Sequence, residues 1–346
     1  SYAGLVALCQ MLPGPTSSQV GFLVGLRRAG WPGAIAAWTG FTLPSALVMA
    51  AFALVAADLR SRSTIAILHG LKLVAVAVVA QAVWSMAQQL CPDRERTALA
   101  LLAFVAVLVI GGTAMQLPAL AAGALGGMLL GRNIAVPPVL PATPVGLRTG
   151  IIALVLFVAL FVALPLAGSA APHSLVALAG IFYQAGALVF GGGHVVLPLL
   201  RDALVPAGWL PDDAFLAGYG MAQAVPGPLF TFAAYLGALV APPGAALLWS
   251  AVALLCIFLP GLLIALASLP VSTWLAGRRA ARSALAGINA AVVGILGAAL
   301  YDPIWVSAVG GGRDAAIALT GFVLLERWRL PPLAIVVFCV GAALLA

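Results

Sequence analysis

The chain has 346 residues, of which 64% are hydrophobic and 7% are charged, whereas soluble domains carry roughly 25% charged residues. So apolar a chain has too little polar surface to fold as a soluble globule, and its mean hydropathy of +1.18 indicates a membrane protein. The 16 basic and 9 acidic residues give a net charge of +7, but the arginines are scattered between apolar runs, which is typical of membrane-edge anchors and excludes a nucleic-acid face.

The apolar runs predict an all-α polytopic membrane protein, because about 20 helical residues cross a hydrocarbon core. Two runs contain a kink, at Leu43-Pro44 and at Leu259-Pro260. Two longer runs are interrupted by turn residues, and each predicts a hairpin of two short spans. In chain order the predicted spans and hairpins are 33–57, 65–90, 98–130, 149–168, 243–269, 284–306 and 314–346.

Three further apolar segments are broken in the middle, at Pro13-Gly14-Pro15, at Gly191-Gly192-Gly193 and at Pro226-Gly227-Pro228. They predict half-helices that meet within the membrane. Lipid cannot hydrogen-bond an open backbone, so we expect these breaks to face protein or a polar cavity. A purely structural kink at each Pro-Gly-Pro is the alternative.

An internal repeat relates the two halves of the chain. Residues 10–15 match residues 223–228 at an offset of 213, and Leu43-Pro44 matches Leu259-Pro260. An odd number of crossings separates equivalent loops, which predicts two inverted units, as in many secondary transporters. The offset also implies that the first unit lacks about 40 N-terminal residues.

Composition places the boundaries of the two units. The segment 132–148 holds four prolines and has no helical period, so it predicts a linker. We therefore expect a first unit at 1–131, a linker with a connecting transmembrane helix at 132–173, and a second unit at 174–346.

At these motifs the chain resembles the chromate ion transporter family in its long, two-repeat form. The resemblance is carried by residues 7–15 (ALCQMLPGP), 41–45 (FTLPS), 190–194 (FGGGH), 222–228 (AQAVPGP) and 287–293 (GINAAVV). It implies a multi-pass protein of the inner (cytoplasmic) membrane that exports chromate, with sulfate as a look-alike anion. The chain departs from the family pattern by lacking a first segment with Phe-Gly-Gly.

A divalent oxyanion needs positive potential inside the membrane. Helix N-termini supply it through unpaired N–H groups and about half a positive charge each. Thr16, Ser17, Ser18 and Gln19 follow the first break, and their polar side chains suit the first turn of a half-helix that binds an anion. The equivalent positions after the second break are mostly apolar, so we expect the two sites to differ.

Three basic side chains and one amide are further candidates. Lys72 is the only lysine, and it shares a helical face with His69 inside the run 65–90. Intramembrane cations are functional candidates by default, with snorkelling to the interface as the alternative for Lys72. Its repeat mate is Asn289. His194 follows three glycines and is a candidate anion donor or proton carrier, with helix capping as the other interpretation.

We therefore predict a secondary transporter that exports chromate and binds the anion at broken-helix N-termini. No motif for ATP use or hydrolysis is present, and no catalytic residue, metal or cofactor is expected. A transporter of sulfate or another tetrahedral oxyanion and a membrane-embedded enzyme on an anionic lipid are the alternatives. The expected partners are the anion and the lipid bilayer, with homodimer formation left open. The predicted anion-binding residues are Gln10, Pro13, Gly14, Pro15, Thr16, Ser17, Ser18, Gln19, His69, Lys72, Gly192, Gly193, His194, Gln223, Pro226, Gly227, Pro228 and Asn289.

Overall fold

The computed structural model describes residues 2–56, 62–110, 115–130, 145–271 and 278–345. Within these ranges the secondary structure is helical without a β-strand, which confirms the predicted all-α class. The helices in chain order are α1 (Tyr2–Met11), α2 (Thr16–Ala56), α3 (Arg62–Leu90), α4 (Arg94–Ile110), α5 (Gln116–Leu130), α6 (Leu147–Ser169), α7 (Leu175–Leu188), α8 (Val196–Leu204), α9 (Asp212–Ala222), α10 (Phe232–Leu239), α11 (Ala246–Ser268), α12 (Arg279–Ala299), α13 (Gly312–Glu326) and α14 (Pro332–Leu344).

Five helices in the described part are long and apolar enough to cross a bilayer. They cover Thr16–Val55, Ala66–Leu90, Leu147–Ser169, Ala246–Val271 and Arg279–Ala308. The pairs α4–α5 and α13–α14 are the two predicted hairpins of shorter helices. The predicted linker falls mostly outside the described residues, since only its end from Val145 onward is described, and α6 follows it.

Helix α2 folds back on itself near its first third. Ala29 and Gly30 have non-helical backbone angles, and Gly30 has a φ of +65°. On either side of this bend Gly25 packs directly on Gly33 and Ala37, at a distance that leaves no room for a side chain at Gly25. The first part of α2 is therefore a half-helix that lies against the long second part.

The second half of the chain repeats this arrangement. Helix α10 lies back along α9, because the Tyr235 hydroxyl donates to Ala214 O at 2.9 Å and the Tyr235 ring covers Gly218. Helix α10 then turns into α11, where Gly237 packs on Trp249 and Ala253 as Gly25 packs within α2. Helices α9 and α10 thus form a helical hairpin whose tip is the second Pro-Gly-Pro break.

A long helix of each half packs on a helical hairpin of the other half. Helix α12 packs on α4 and α5, and α3 packs on α13 and α14. Two close contacts between the halves are equivalent. Gly287 contacts Gly123, and Gly70 contacts Val340. The repeat offset is 217 at these positions, because it relates Gly70 to Gly287 and Gly123 to Val340. Glycine permits this close packing in a helix pair. The two homologous units are therefore interlocked, and each completes the other's core.

Candidate functional site

The first break, residues 12–15, separates α1 from α2. Gly14 has a φ of +112°, a conformation that favours glycine, and its N–H donates to Val189 O at 2.7 Å. The Gln19 side chain fastens the break, because Nε2 donates to Pro13 O at 2.7 Å and to Gly261 O at 2.9 Å. Gly14 itself packs on Gly261. The break is therefore held in one conformation by the second half of the chain.

The second break, residues 223–228, separates α9 from α10. Gly227 has a φ of +144° and packs on the Ser45 side chain, on the kinked part of α2. Ser45 follows Leu43-Pro44, and Gly261 follows Leu259-Pro260. Each Pro-Gly-Pro break therefore packs on the Leu-Pro kink of the other half, in two equivalent contacts.

The third break lies between α7 and α8. Helix α7 ends at Leu188, and Gly191 and Gly192 have φ values of +76° and +156°. The chain resumes as a 3₁₀ turn at Gly193–Val195, which leads directly into α8. His194 is thus in the first turn of a helical segment, as the sequence predicts.

A single cavity joins all three breaks. It has a volume of about 490 Å³, and we call it the tip cavity. Its lining residues are Tyr2, Val6, Pro15, Thr16, Ser17, Val20, Gly192, Gly193, His194, Gly227, Pro228, Leu229 and Phe230. Segments that are far apart along the chain therefore share one pocket, in which the polar side chains of Thr16, Ser17 and His194 lie among apolar residues.

The start of three helical segments borders the tip cavity. Helix α2 begins at Thr16, the turn Leu229–Thr231 leads into α10, and the turn Gly193–Val195 leads into α8. Each helix N-terminus carries unpaired N–H groups and about half a positive charge. None of the lining residues is Asp, Glu, Lys or Arg. Backbone dipoles therefore give the cavity a positive potential, and its lining adds no fixed charge.

His194 has a defined partner outside the cavity. Its Nδ1 lies 2.7 Å from the hydroxyl of Tyr219, whose exposed fraction is 0%. If Tyr219 donates to Nδ1, the neutral imidazole carries its proton on Nε2. His194 would then offer an N–H donor to an anion in the tip cavity.

A family model described as chromate transporter matches residues 1–131 and 176–345, which is most of the chain. The chain belongs to the chromate transporter family. It is 26% identical to a chromate transport protein of Pseudomonas aeruginosa over 94% of this chain and 77% of that protein. It is 27% identical to a chromate transport protein of Cupriavidus metallidurans over 72% of this chain and 61% of that protein. No solved structure matches the chain.

Family membership and the apolar helices together make the chain a multi-pass protein of the cytoplasmic membrane. A third relative is an uncharacterized transporter of Methanocaldococcus jannaschii, 24% identical over 86% of this chain and 73% of that protein. These relatives are transport proteins, which argues for a transporter and against a lipid-modifying enzyme.

His69 and Lys72 do not line the tip cavity. The Lys72 ammonium lies 2.8 Å from Asp213 Oδ1 and donates to Ser307 O at 3.3 Å. His69 Nε2 lies 2.9 Å from Asp314 Oδ1. Lys72 therefore joins α3 of the first unit to the second unit through an ion pair, and His69 joins them through a side-chain hydrogen bond.

The other predicted site residues lie in or directly behind the cavity wall. Pro15, Thr16, Ser17, Gly192, Gly193, His194, Gly227 and Pro228 line the cavity. Pro13, Gly14, Ser18, Gln19, Gln223 and Pro226 belong to the breaks or to the turn behind them, and Gln10 ends α1 on its exposed side. The Asn289 amide oxygen is 3.7 Å from the position a side chain would take at Gly191.

Sequence reasoning missed Tyr219. Tyr219 precedes Gln223, the residue that follows the end of α9, by four residues, and this spacing was the available signal. The contact with His194 was not predictable, because it depends on how α8 and α9 pack.

Proposed function

We propose that the chain is a secondary transporter that exports chromate and binds the anion in the tip cavity. One observation carries the proposal: three helix N-termini border a cavity of about 490 Å³ whose lining contains no carboxylate. Chromate transport is the role that the family and the names of the relatives support.

The electrostatics of the cavity suit a dianion. Three helix termini together supply about +1.5 charges, which offsets most of the two negative charges of chromate. The hydroxyls of Thr16 and Ser17 and the imidazole of His194 add side-chain donors. A tetrahedral oxyanion has four oxygen atoms to receive them, so backbone and side-chain donors can replace its hydration shell.

The two units, proposed at 1–131 and 174–346 around the connecting segment 132–173, would be inverted relative to each other. The equivalent contacts of Gly14 with Gly261 and of Gly227 with Ser45 support this arrangement. In such transporters one unit rocks against the other around a central site, and gradients drive the cycle. The tip cavity lies at that interface, since both units contribute to its lining.

Sulfate is the competing substrate. Helix termini and hydroxyls respond to the charge and size of an anion, and sulfate is a tetrahedral dianion like chromate. The decisive measurement is efflux of labelled chromate from proteoliposomes that contain the full chain. We expect saturable efflux that is faster than from protein-free vesicles and is lost in Gly227→Leu.

Three results would contradict the proposal. Chromate movement no faster than in protein-free vesicles would remove the transport role. Movement of labelled sulfate that chromate does not inhibit would assign the cavity to sulfate. Turnover of lipid phosphate in the same vesicles would revive the enzyme alternative.

A further inference from the structure

Three buried hydroxyl groups in α2 have no hydrogen-bond partner among the described residues. They belong to Ser18, Thr42 and Ser45, whose exposed fractions are 0%, 1% and 2%. Buried polar groups in native proteins are nearly always paired, so each of these hydroxyls requires a physical reason.

Seven other serines and threonines make a local hydrogen bond that Ser18, Thr42 and Ser45 do not make. Each donates to a main-chain carbonyl three or four residues earlier, as hydroxyls in helices commonly do. These residues are Ser85, Thr97, Ser169, Thr231, Ser268, Ser307 and Thr320. The comparison shows that the local bond is easily made in this fold and is absent at Ser18, Thr42 and Ser45.

The repeat provides a matched pair. Thr231 is the mate of Ser18 at the offset of 213, and its Oγ1 donates to Pro228 O at 2.9 Å. Ser18 stands at the same point after the first break, but its hydroxyl makes no such bond to Pro15 O. At equivalent positions, the hydroxyl of the first unit therefore makes no hydrogen bond, whereas the hydroxyl of the second unit donates to the main chain.

The three hydroxyls lie at one level of the fold. Gly25 packs between Gly33 and Ala37, so residue 25 is level with about residue 35 on the returning part of α2. Ser18 is seven residues before residue 25, and Thr42 is seven residues after residue 35, so the two side chains are again level with each other. Ser45 follows Thr42 by about one helical turn and lies on the same face of the helix. Gly227 rests on Ser45 and also lines the tip cavity.

We propose that Ser18, Thr42 and Ser45 form a second oxyanion subsite, which the anion enters when the Gly227 tip moves off Ser45. The proposal rests on the transport function proposed above. It places a set of neutral donors directly beyond the cavity wall, along the interface between the units. The tip cavity and this subsite would then bind the same anion in two successive states of the cycle.

The chemistry favours an anion over a cation. A hydroxyl that donates to its own helix still offers its lone pairs to a cation, so a cation site would not require the local bonds to be absent. An oxyanion needs donors, and unused O–H groups are what these residues offer. Ser18 also lies in the first turn of α2, where the helix dipole is positive and repels a cation.

The test compares Ser45→Ala and Thr42→Val with Ser268→Ala in proteoliposomes of the full chain. Ser268 is a buried serine with a local bond to Ala265 O at 2.8 Å, so it is a matched control. We expect labelled chromate efflux to fall about tenfold in each α2 variant, the loss of one hydrogen bond to a charged acceptor. Ser268→Ala should retain efflux, and Thr42→Ser should recover most of it.

Thermal unfolding of the same proteins without anion separates function from structure. Removing an unpaired buried hydroxyl breaks no bond, so Ser45→Ala should unfold at the same or a higher temperature than the unchanged chain. A lower unfolding temperature would show that the hydroxyl is bonded in the protein and would overturn the proposal. If Thr42→Val does not fold, Ser18→Ala provides a second variant for the efflux measurement, because serine to alanine changes the side-chain volume less than threonine to valine.

The outcomes also separate this proposal from the transport function. If the unchanged chain moves chromate and all three hydroxyl variants do so equally well, the subsite is wrong and the tip cavity stands. If the unchanged chain moves no chromate, the transport function itself fails. If the variants lose activity only in sodium and match the unchanged chain in choline buffer, the hydroxyls bind a cation, which overturns the anion subsite.

Discussion

The tip cavity and the basic side chains on α3 differ in their electrostatics. The cavity is bordered by helix termini and hydroxyls and contains no Lys, Arg, Asp or Glu. On α3, Lys72 is paired with Asp213, and His69 is paired with Asp314. The protein thus separates its anion-attracting dipoles from its full charges, although both lie among membrane helices.

This separation has a physical reason. A transporter must cross between states with its site empty, and an unpaired cation in an apolar site has a large desolvation cost. Backbone dipoles attract a dianion when it is present and carry no net charge when it is absent. Lys72, by contrast, is paired with Asp213 on the other unit, so its contribution belongs to the contact between the units.

The largest effect should come from filling the backbone at the breaks. Leucine at Gly14 or Gly227 would collide with Gly261 or Ser45 and would have to adopt a φ above +100°. We expect chromate affinity, measured by calorimetry on folded protein, to fall at least about a hundredfold, a loss of about 2.7 kcal/mol. Gly341→Ala, at an open helical position, is the control.

Unchanged affinity in both leucine variants would make the breaks structural kinks. The anion site would then have to be sought near His69 and Lys72, and the contrast between the two regions would disappear.

The next effect concerns His194 and the residue that orients it. We expect His194→Ala to raise the KM for chromate efflux about tenfold or more, because a donor to a charged ligand is lost. Tyr219→Phe should raise the KM less and leave the maximal rate nearly unchanged, since the imidazole stays but its tautomer is no longer fixed. Tyr235→Phe is the matched control, as its buried hydroxyl donates to Ala214 O. Equal KM values for all three variants would exclude His194 from the site.

Lys72 tests the other side of the comparison. We expect Lys72→Gln to slow efflux about fivefold without changing chromate affinity, since the pair with the 74% exposed Asp213 is largely screened. Lys72→Arg should retain part of the rate, because it keeps the charge with a different geometry. Adding Asp213→Asn to Lys72→Gln should recover part of the loss. A change in affinity would place Lys72 on the anion path.

Much of this architecture could be predicted from local sequence. Pro13-Gly14-Pro15 and Pro226-Gly227-Pro228 mark breaks because two prolines around a glycine remove adjacent backbone donors and favour a non-helical backbone, whereas the single prolines Pro44 and Pro260 lie within helices. The hairpins 98–130 and 314–346 are confirmed as α4–α5 and α13–α14 for the same reason. Periodicity and composition report on local backbone, and these features are local.

The rest depends on packing between distant segments. Lys72 looked like a site residue because its partner Asp213 is 141 residues away and carries no signal near Lys72. The sequence predicts that the three broken segments meet, but which residues of each segment face the shared cavity is set by the tertiary fold. Ser18 was predicted as a donor, but its burial behind the wall follows from the bend at Gly30.

The smallest effect should come from the hydroxyls that already face the cavity. Ser17 lines the tip cavity and is exposed there, so water can replace its hydroxyl in part. We expect Ser17→Ala to weaken chromate binding about threefold, a net loss of about 0.7 kcal/mol, within the usual range of one hydrogen bond. Thr320→Val is the control, because Thr320 is exposed and donates to Ala316 O away from the cavity. A loss at Ser17 as large as that in Gly227→Leu would mean that side chains, not helix termini, supply most of the affinity, and the dipole account of the cavity would be wrong.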